Sequence, residues 1–281
     1  MAFDVSAGTH LLASRAMIEE ALALVDSGSA AVLGCGRCTE IPVRSLSGKL
    51  DRVDLVDFDA EALRLVEVQC QGWTGGQSAC CFHCADLTGL IAKLEEEAAE
   101  LVAKATEPLE CLEQLGRSLR SAKPTFWTPP GAARCDLIVC SNVVTQLQAT
   151  VREVVQRVFL ARFPESGVAL TTHEPWRQSL WSFARNLESA FLGHIGAMVR
   201  PGGIIFLSAT VHVSWITQVD ERSVATDGSW IATQTARLAD YLKPSDTILV
   251  ERSWSWLRAG REGRYWGRLY GVQAIIYRVR R

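Results

Sequence analysis

The residues best suited to chemistry gather between positions 30 and 59. An apolar run, Ala31-Val32-Leu33, meets a tight turn, Gly34-Cys35-Gly36, and a second apolar run, Val53-Asp54-Leu55-Val56, stops at Asp57. The order reads strand, glycine loop, helix, strand, acid. Glycine lets the backbone adopt φ > 0 and lets a ligand approach with no Cβ in the way. A carboxylate about 20 residues beyond such a loop, at the end of the second strand of a βαβ unit, can reach both hydroxyls of a ribose. An ionised carboxylate only accepts hydrogen bonds, which suits a diol. The expected ligand is therefore an adenosine-containing cofactor held by Asp57, with Phe58 placed to stack on its base. Asp59 is the neighbouring rival, but Asp57 ends the apolar run directly.

The loop separates the cofactor classes. The dinucleotide fingerprint G-x-G-x-x-G needs a last glycine for close packing at the helix N-terminus. Counted from Gly34, that position is Thr39, which argues against a nicotinamide-dependent oxidoreductase. The segment AVLGCGRCTEIP followed by DRVDLVDFDAEAL instead resembles the class I S-adenosylmethionine-dependent methyltransferases. Their loop reads G-x-G-x-G; this chain matches Gly34 and Gly36 and carries Cys38 at the third glycine. The acid those enzymes often place two residues before the first glycine, where it helps orient the methionine end of the cofactor, is Val32 here. Glu40, in the loop, is the acid that could take its place.

Three further segments extend the resemblance: His83-Cys84-Ala85-Asp86-Leu87 as a third strand, Cys135 to Asn142 as a fourth, and Arg200-Pro201-Gly202-Gly203 leading into a fifth, Ile204 to Leu207. The resemblance implies S-adenosylmethionine as cofactor. It implies that the amides of Gly34, Cys35 and Gly36 face its amino-acid moiety and that Asp57 takes the ribose. It further places Asp86, followed by Leu87, at the adenine amino group, and Ser141 and Asn142 at the end of the strand beneath the reactive methyl. A looser likeness, to bacterial methyltransferase-like proteins with a cysteine in this loop and Ser-Asn after the fourth strand, names no substrate.

Methyl transfer is an in-line displacement that needs alignment of the nucleophile and exclusion of water, with a base only when the acceptor must lose a proton. No fixed triad is therefore expected. The Asn-Pro-Pro-Tyr type motif of amide and adenine methylation is absent, since Ser141-Asn142-Val143-Val144 stands there, and no Pro-Cys nucleophile of the cytosine type occurs. Gln146 joins Ser141 and Asn142 as a candidate pocket residue. His173, beside Glu174 in a polar, turn-like stretch, is the candidate general base, against the plainer reading of a capping or surface histidine. His212 and Trp215 are weaker acceptor-pocket candidates. Cys35-x-x-Cys38 and Cys81-x-x-Cys84, with His83 nearby, have zinc-knuckle spacing. The first pair falls inside the cofactor loop, and strand alternation sends Cys81 and Cys84 to opposite faces. The cysteines are read as small buried hydrophobes and no metal is expected.

Composition narrows the setting. The 281 residues are 48% apolar, with 29 basic and 31 acidic side chains and a net charge of −2. No global positive field would recruit nucleic acid, so a small-molecule acceptor is expected. Only Arg278 to Arg281 is locally basic. No apolar stretch of about 20 residues would span a membrane, and the N-terminus lacks the order of a secretory signal. Nine cysteines, mostly inside apolar strands, suit reduced thiols in the cytoplasm.

The elements expected to position these residues alternate. A leading helix covers residues 11–25, either capping the sheet or covering the ligand. Strands fall at 30–33, 54–57 and 78–84, and a helix at 60–69. Two helices and a stiff aromatic loop, Pro124 to Gly131, form an insertion at 88–131, a candidate lid or homodimer surface. Helices at 151–163 and 182–199 lead to the fifth strand, and strands at 248–257 and 265–279 close an antiparallel hairpin around Gly260 to Gly263. Alternating strands and helices imply an α/β fold: a Rossmann-like, seven-stranded, mostly parallel sheet with helices on both faces, in one methyltransferase-like domain over 1–281. The alternative is a non-catalytic scaffold on the same fold that acts through a protein partner, which the Val32 and Cys38 departures keep open.

Overall fold

Short runs of apolar residues between helical stretches build one sheet of eight strands. A computed structural model of the chain describes residues 7–73, 79–130, 134–218, 224–231, 237–259 and 266–280. The strands are β1 Ser29–Leu33, β2 Arg52–Asp57, β3 Cys80–Cys84, β4 Cys135–Ser141, β5 Val199–Gln218, β6 Val224–Ile231, β7 Thr247–Ala259 and β8 Trp266–Arg278. Their order is β3-β2-β1-β4-β5-β8-β7, with β6 paired to β5 off this path. The first five run parallel; β8, β7 and β6 pair antiparallel. The Rossmann-like sheet and closing hairpin expected from the sequence are thus present. The turn expected at Gly260 to Gly263 lies outside the described residues.

The eighth strand, β6, was not expected. Its Asp227-Gly228 reads as a turn in sequence, yet the pairing skips Asp227, joining Trp215 to Gly228 and Ile216 to Thr226. β5 makes room for it. It lies along β4 through Ser208 and, from His212 onward, takes β6 on that same edge. The Arg200–Gly203 turn survives as a bulge within β5, where Gly202 adopts φ 81°.

The chain forms two compact units. The first comprises Met1–Cys84, Thr128–Val144 and Ile195–Arg281, the second Ala85–Trp127 and Thr145–His194. In the first, α1 (Ala7–Ala23), α2 (Val43–Lys49) and α3 (Ala60–Gln71) supply Met17, Ile18, Leu46, Leu63 and Val66 to a core shared with Val32, Leu55, Val139 and Phe206 of the strands. The alternate strand residues Ala31, Leu33, Ile138, Cys140 and Leu207 are buried too, as strands covered on both faces must be.

The second unit is helical: α4 Ile91–Lys104, α5 Pro108–Ser121, most of α6 Val143–Arg162, α7 Ala169–Thr172 and most of α8 Glu174–Met198. It takes in residues 88–127 of the stretch 88–131 singled out as an insertion, whose last four positions fall in the first unit, and also residues 145–194. Leu94, Leu112, Leu115, Phe159, Trp176 and Phe191 fill its core. The aromatic loop is fixed by Phe126, stacked on His194 at 5.1 Å, while His194 Nε2 meets the Trp127 carbonyl at 2.8 Å. Two helices start earlier than their periodicity suggested. α6 begins at Val143, whose β-branched run weakens the helical signal, and α8 begins at Glu174 with Pro175 in its first turn, where a missing N–H costs nothing. No helix among the described residues is long and apolar enough to cross a membrane.

At the start of β1, the Asp136 carboxylate accepts from Ser29 N at 2.8 Å and pairs with Arg200. Gly28 beside it has φ 108°, and an added Cβ would overlap that carboxylate. Gly28→Ala is expected to lower stability by at least about 2 kcal/mol, from overpacking and a left-handed alanine together, as measured by urea unfolding.

Candidate functional site

The glycine loop is built by folding the end of β1 onto the end of β2. Gly34 N and Cys35 N both donate to the Val56 carbonyl, at 2.8 and 3.1 Å, and Gly36 N donates to Asp57 Oδ2 at 2.7 Å. All three amides expected to face a ligand thus have hydrogen-bond partners inside the protein. The two glycines differ in purpose. At Gly34, φ 65°, an added Cβ would lie 2.7 Å from Val143 Cγ2, so the helix after β4 requires a bare Cα. At Gly36, φ 50°, an added Cβ would meet no atom of the described residues within 4 Å, so among them the loop leaves open space on that side.

Cys38 departs from the third glycine in type but not in conformation. Its φ is 53°, a left-handed position that costs a residue with a Cβ roughly 1–2 kcal/mol. It closes a turn in which Cys38 N donates to the Cys35 carbonyl at 2.9 Å. Both thiols are buried. A hydrogen bond with Cys38, then burial and nearby Cys38 and Asp57, push the Cys35 thiol far above its ordinary value. Among the described residues no three His, Cys, Asp or Glu side chains cluster as a metal site would need.

Asp57 is 7% exposed. Its Oδ2 takes the Gly36 amide and its Oδ1 the Asp59 amide at 2.9 Å. An ionised carboxylate has about four acceptor positions, so one on each oxygen is left for a diol. The rival Asp59 has a structural task instead: its Oδ1 accepts from Glu61 N and Ala62 N, both at 3.0 Å, capping α3. Phe58 is 57% exposed, an apolar ring presented to solvent beside Asp57.

The end of β4 supplies the second part of the site in this unit. Asn142 adopts φ 55° and is held by β5, its amide donating to the Ser208 carbonyl at 3.0 Å and to Ser208 Oγ at 3.1 Å. Ser141 Oγ lies 3.3 Å from the same hydroxyl. Asn142 Nδ2 reaches to within 3.4 Å of His10 Nε2, while its Oδ1 is buried with no hydrogen-bond partner among the described residues.

His10 was missed by sequence reasoning, and it joins the parts. It stands in the first turn of α1, 3% exposed. Trp254 Nε1 of β7 donates to its Nδ1 at 2.8 Å, and its Nε2 lies 3.0 Å from Glu40 Oε2. Burial would raise the Glu40 carboxyl, but hydrogen bonds with His10 and Ser141 outweigh it and hold the group below its ordinary value. No spacing rule brings residues 10, 40, 141, 142 and 254 together. The only sequence signals were the helical stripe of α1 and an aromatic-rich final hairpin, and both suit a plain core. α1 in fact does two things: Met17, Ile18 and Leu22 pack in the core, and His10 reaches the loop.

The remaining expected residues lie in the second unit. Asp86 Oδ1 accepts from Thr88 N and Thr88 Oγ1, both at 2.8 Å, and its Oδ2 from Ile91 N at 2.8 Å, so it organises the entry to α4; Leu87 beside it is buried. His173 ends α7, its Nε2 3.7 Å from Glu113 Oε1 and without a hydrogen-bond partner among the described residues. Gln146 is exposed on α6. In the first unit, His212 is exposed on β5 with Nδ1 3.4 Å from Ser214 Oγ, and the Trp215 side chain lies outside the described ones.

No family model matches the sequence, and no curated protein matches it significantly. Solved structures with a similar course of the chain include the N-methyltransferase NodS from Bradyrhizobium japonicum WM9, at 10% identity and TM-score 0.48 over 98% of each chain. A S-adenosylmethionine-dependent methyltransferase from Clostridium acetobutylicum ATCC 824 is 10% identical, with TM-score 0.44 over 95% of this chain and 91% of that one. Magnesium protoporphyrin IX methyltransferase from Synechocystis PCC 6803, solved with bound S-adenosylmethionine, is 11% identical, with TM-score 0.38 over 95% and 79%.

Two predictions follow from the loop. Because Cys38 is left-handed, Cys38→Gly should be more stable than Cys38→Ala by about 1 kcal/mol in urea unfolding, both variants having lost the same thiol. Glu40 titrates lower when folded than its ordinary 4.5, so its stabilising effect is complete above that pH and is lost as pH falls through the folded value. The stability advantage of wild type over Glu40→Gln should be constant near neutrality and shrink below pH 4.5.

Proposed function

We propose that this chain is a class I S-adenosylmethionine-dependent methyltransferase acting on a small-molecule acceptor. The observation that carries the reading is Asp57: a carboxylate at the end of β2, pinned by the Gly36 amide, with acceptor capacity left on both oxygens and open space beside Gly36. These features fit the adenosine and amino-acid parts of such a cofactor. Asp57 would hold the ribose diol and Phe58 would stack on the adenine. Asp86 and Leu87 are proposed at the other edge of the base, and Ser141 and Asn142 at the methyl-bearing end.

When bound, S-adenosylmethionine supplies a methyl group on a sulfonium, already an excellent leaving group. The chain's own part is to bind, to orient and to keep water out. The locked end of β4 gives Asn142 a fixed position, which alignment of an acceptor requires. His173 is the proposed base where the acceptor must lose a proton. A net charge of −2 favours a small acceptor over nucleic acid, and the nine free cysteines favour the cytoplasm.

Calorimetric titration with S-adenosylhomocysteine tests this. Wild type should bind, and Asp57→Ala should bind weaker by roughly 1.5–3 kcal/mol, the range for hydrogen bonds to a charged group, with thermal unfolding showing that the variant is folded. Folded wild-type protein that binds neither S-adenosylmethionine nor S-adenosylhomocysteine would favour the scaffold reading.

A further inference from the structure

The loop between β1 and α2 carries two thiols that the cofactor reading does not use, Cys35 and Cys38. Cys38 N donates to the Cys35 carbonyl at 2.9 Å, so the two residues are the ends of one tight turn. Such a turn holds its outer Cα atoms within about 7 Å, and a disulfide spans about 4.4–6.8 Å between Cα atoms. The side chains converge as well: the two thiols share a hydrogen bond and belong to the same buried cluster. Cys38 reaches this position in the left-handed region, φ 53°, a conformation that disfavours any residue with a Cβ.

Joining the two sulfurs would act on the site through Gly36. Sulfurs that share a hydrogen bond must close to about 2.05 Å to be bonded. The Cys35 end of the turn is anchored, since its amide donates to the Val56 carbonyl at 3.1 Å. The displacement therefore falls on Gly36, Arg37 and Cys38. Gly36 is the residue whose amide orients the Asp57 carboxylate, at 2.7 Å, so a shift there moves the acid out of the position argued above for a ribose diol. Glycine yields readily because it has no Cβ to restrict φ and ψ.

We infer that Cys35 and Cys38 are a dithiol–disulfide switch built into the cofactor loop, whose dithiol form binds the cofactor and whose disulfide form does not hold it. The effect on the cofactor rests on the reading above; the dithiol stands on the turn itself. The co-reactant is a low-molecular-weight disulfide such as oxidised glutathione. The thiolate of one cysteine attacks it, forming a mixed disulfide and expelling one thiolate of the co-reactant. The second cysteine gives up its proton and attacks the sulfur of the first. The internal S–S bond forms and the second thiolate of the co-reactant leaves. Two electrons and two protons pass from the protein to the co-reactant, which is reduced to two thiols. Both protein thiols are buried, which makes the exchange slow.

Tryptic mapping tests this on the native full-length protein, because Arg37 lies between the two cysteines. Wild type is held in glutathione buffers of graded redox poise, its remaining thiols are blocked with iodoacetamide, and the digest is read by mass spectrometry. The peptides 16–37 and 38–44 should appear joined after oxidation and separate after dithiothreitol. Oxidised wild type should bind S-adenosylhomocysteine roughly tenfold or more weakly than reduced wild type, as expected for losing one hydrogen bond to a charged group. By reciprocity, saturating S-adenosylhomocysteine should then shift the poise at which the peptides join by about 30 mV toward more oxidising buffers. Cys38→Ser should bind equally in oxidising and reducing buffer. Absence of the joined peptide from folded, oxidised wild type would overturn the inference even if no variant folds. So would a joined peptide with unchanged affinity, or a loss of affinity on oxidation that persists in Cys38→Ser. Reduced, folded wild type that binds no S-adenosylhomocysteine would overturn the cofactor reading and the switch with it, while the joined peptide would still decide the dithiol.

Discussion

The hydrogen bond from the Gly36 amide to the Asp57 carboxylate is the contact on which the site depends. It ties the loop after β1 to the last residue of β2, and the Val56 carbonyl adds two further amides to the same junction. The parallel register of β1 and β2, with Leu33 opposite Val56, brings the two strand ends level so that this junction can close. A charge-assisted bond of this kind is stronger than a neutral one, and here it fixes both partners: the acid is oriented and the loop is shaped. The loop's conformation then sets where Cys38 and Glu40 stand.

Around this junction the chain accepts backbone conformations that most residues avoid. Cys38 and Asn142 are the non-glycine residues with positive φ among those described, and both flank the candidate site. Each is over-determined by its surroundings. Cys38 is held by its turn to Cys35 and by burial, Asn142 by two bonds to Ser208. Strained residues persist where neighbouring structure fixes them, and they concentrate at functional sites. Their position here, at the ends of β1 and β4, agrees with binding at the carboxyl ends of parallel strands, the usual place in open α/β sheets.

The sequence pattern was most legible where a local rule acts. Strand, glycine turn, strand and acid located β1, the loop, β2 and Asp57, because apolar runs and glycine positions report backbone geometry directly. The insertion was visible because Leu94, Ala98 and Val102 repeat at helical spacing. Legibility failed where a local signal and tertiary packing disagree. Asp227-Gly228 reads as a turn but lies within β6, because β5 outruns β4 and leaves an edge to pair. The helix expected from residue 151 begins instead at Val143, because left-handed Asn142 ends β4 abruptly.

The sequence by itself determined the mostly parallel sheet around β1 and β2 and the position of Asp57 at the edge of the loop, since periodicity and spacing along one βαβ unit are encoded in neighbouring residues. Tertiary structure alone decided which polar atoms already have partners. It engaged the loop amides inside the protein, gave Asp59 to the cap of α3, and brought His10, Glu40, Ser141 and Trp254 from four distant segments to one place. The physical reason is that hydrogen-bond partnership depends on the distance between atoms, and residues 10 and 254 acquire theirs only when helix α1 packs across the sheet.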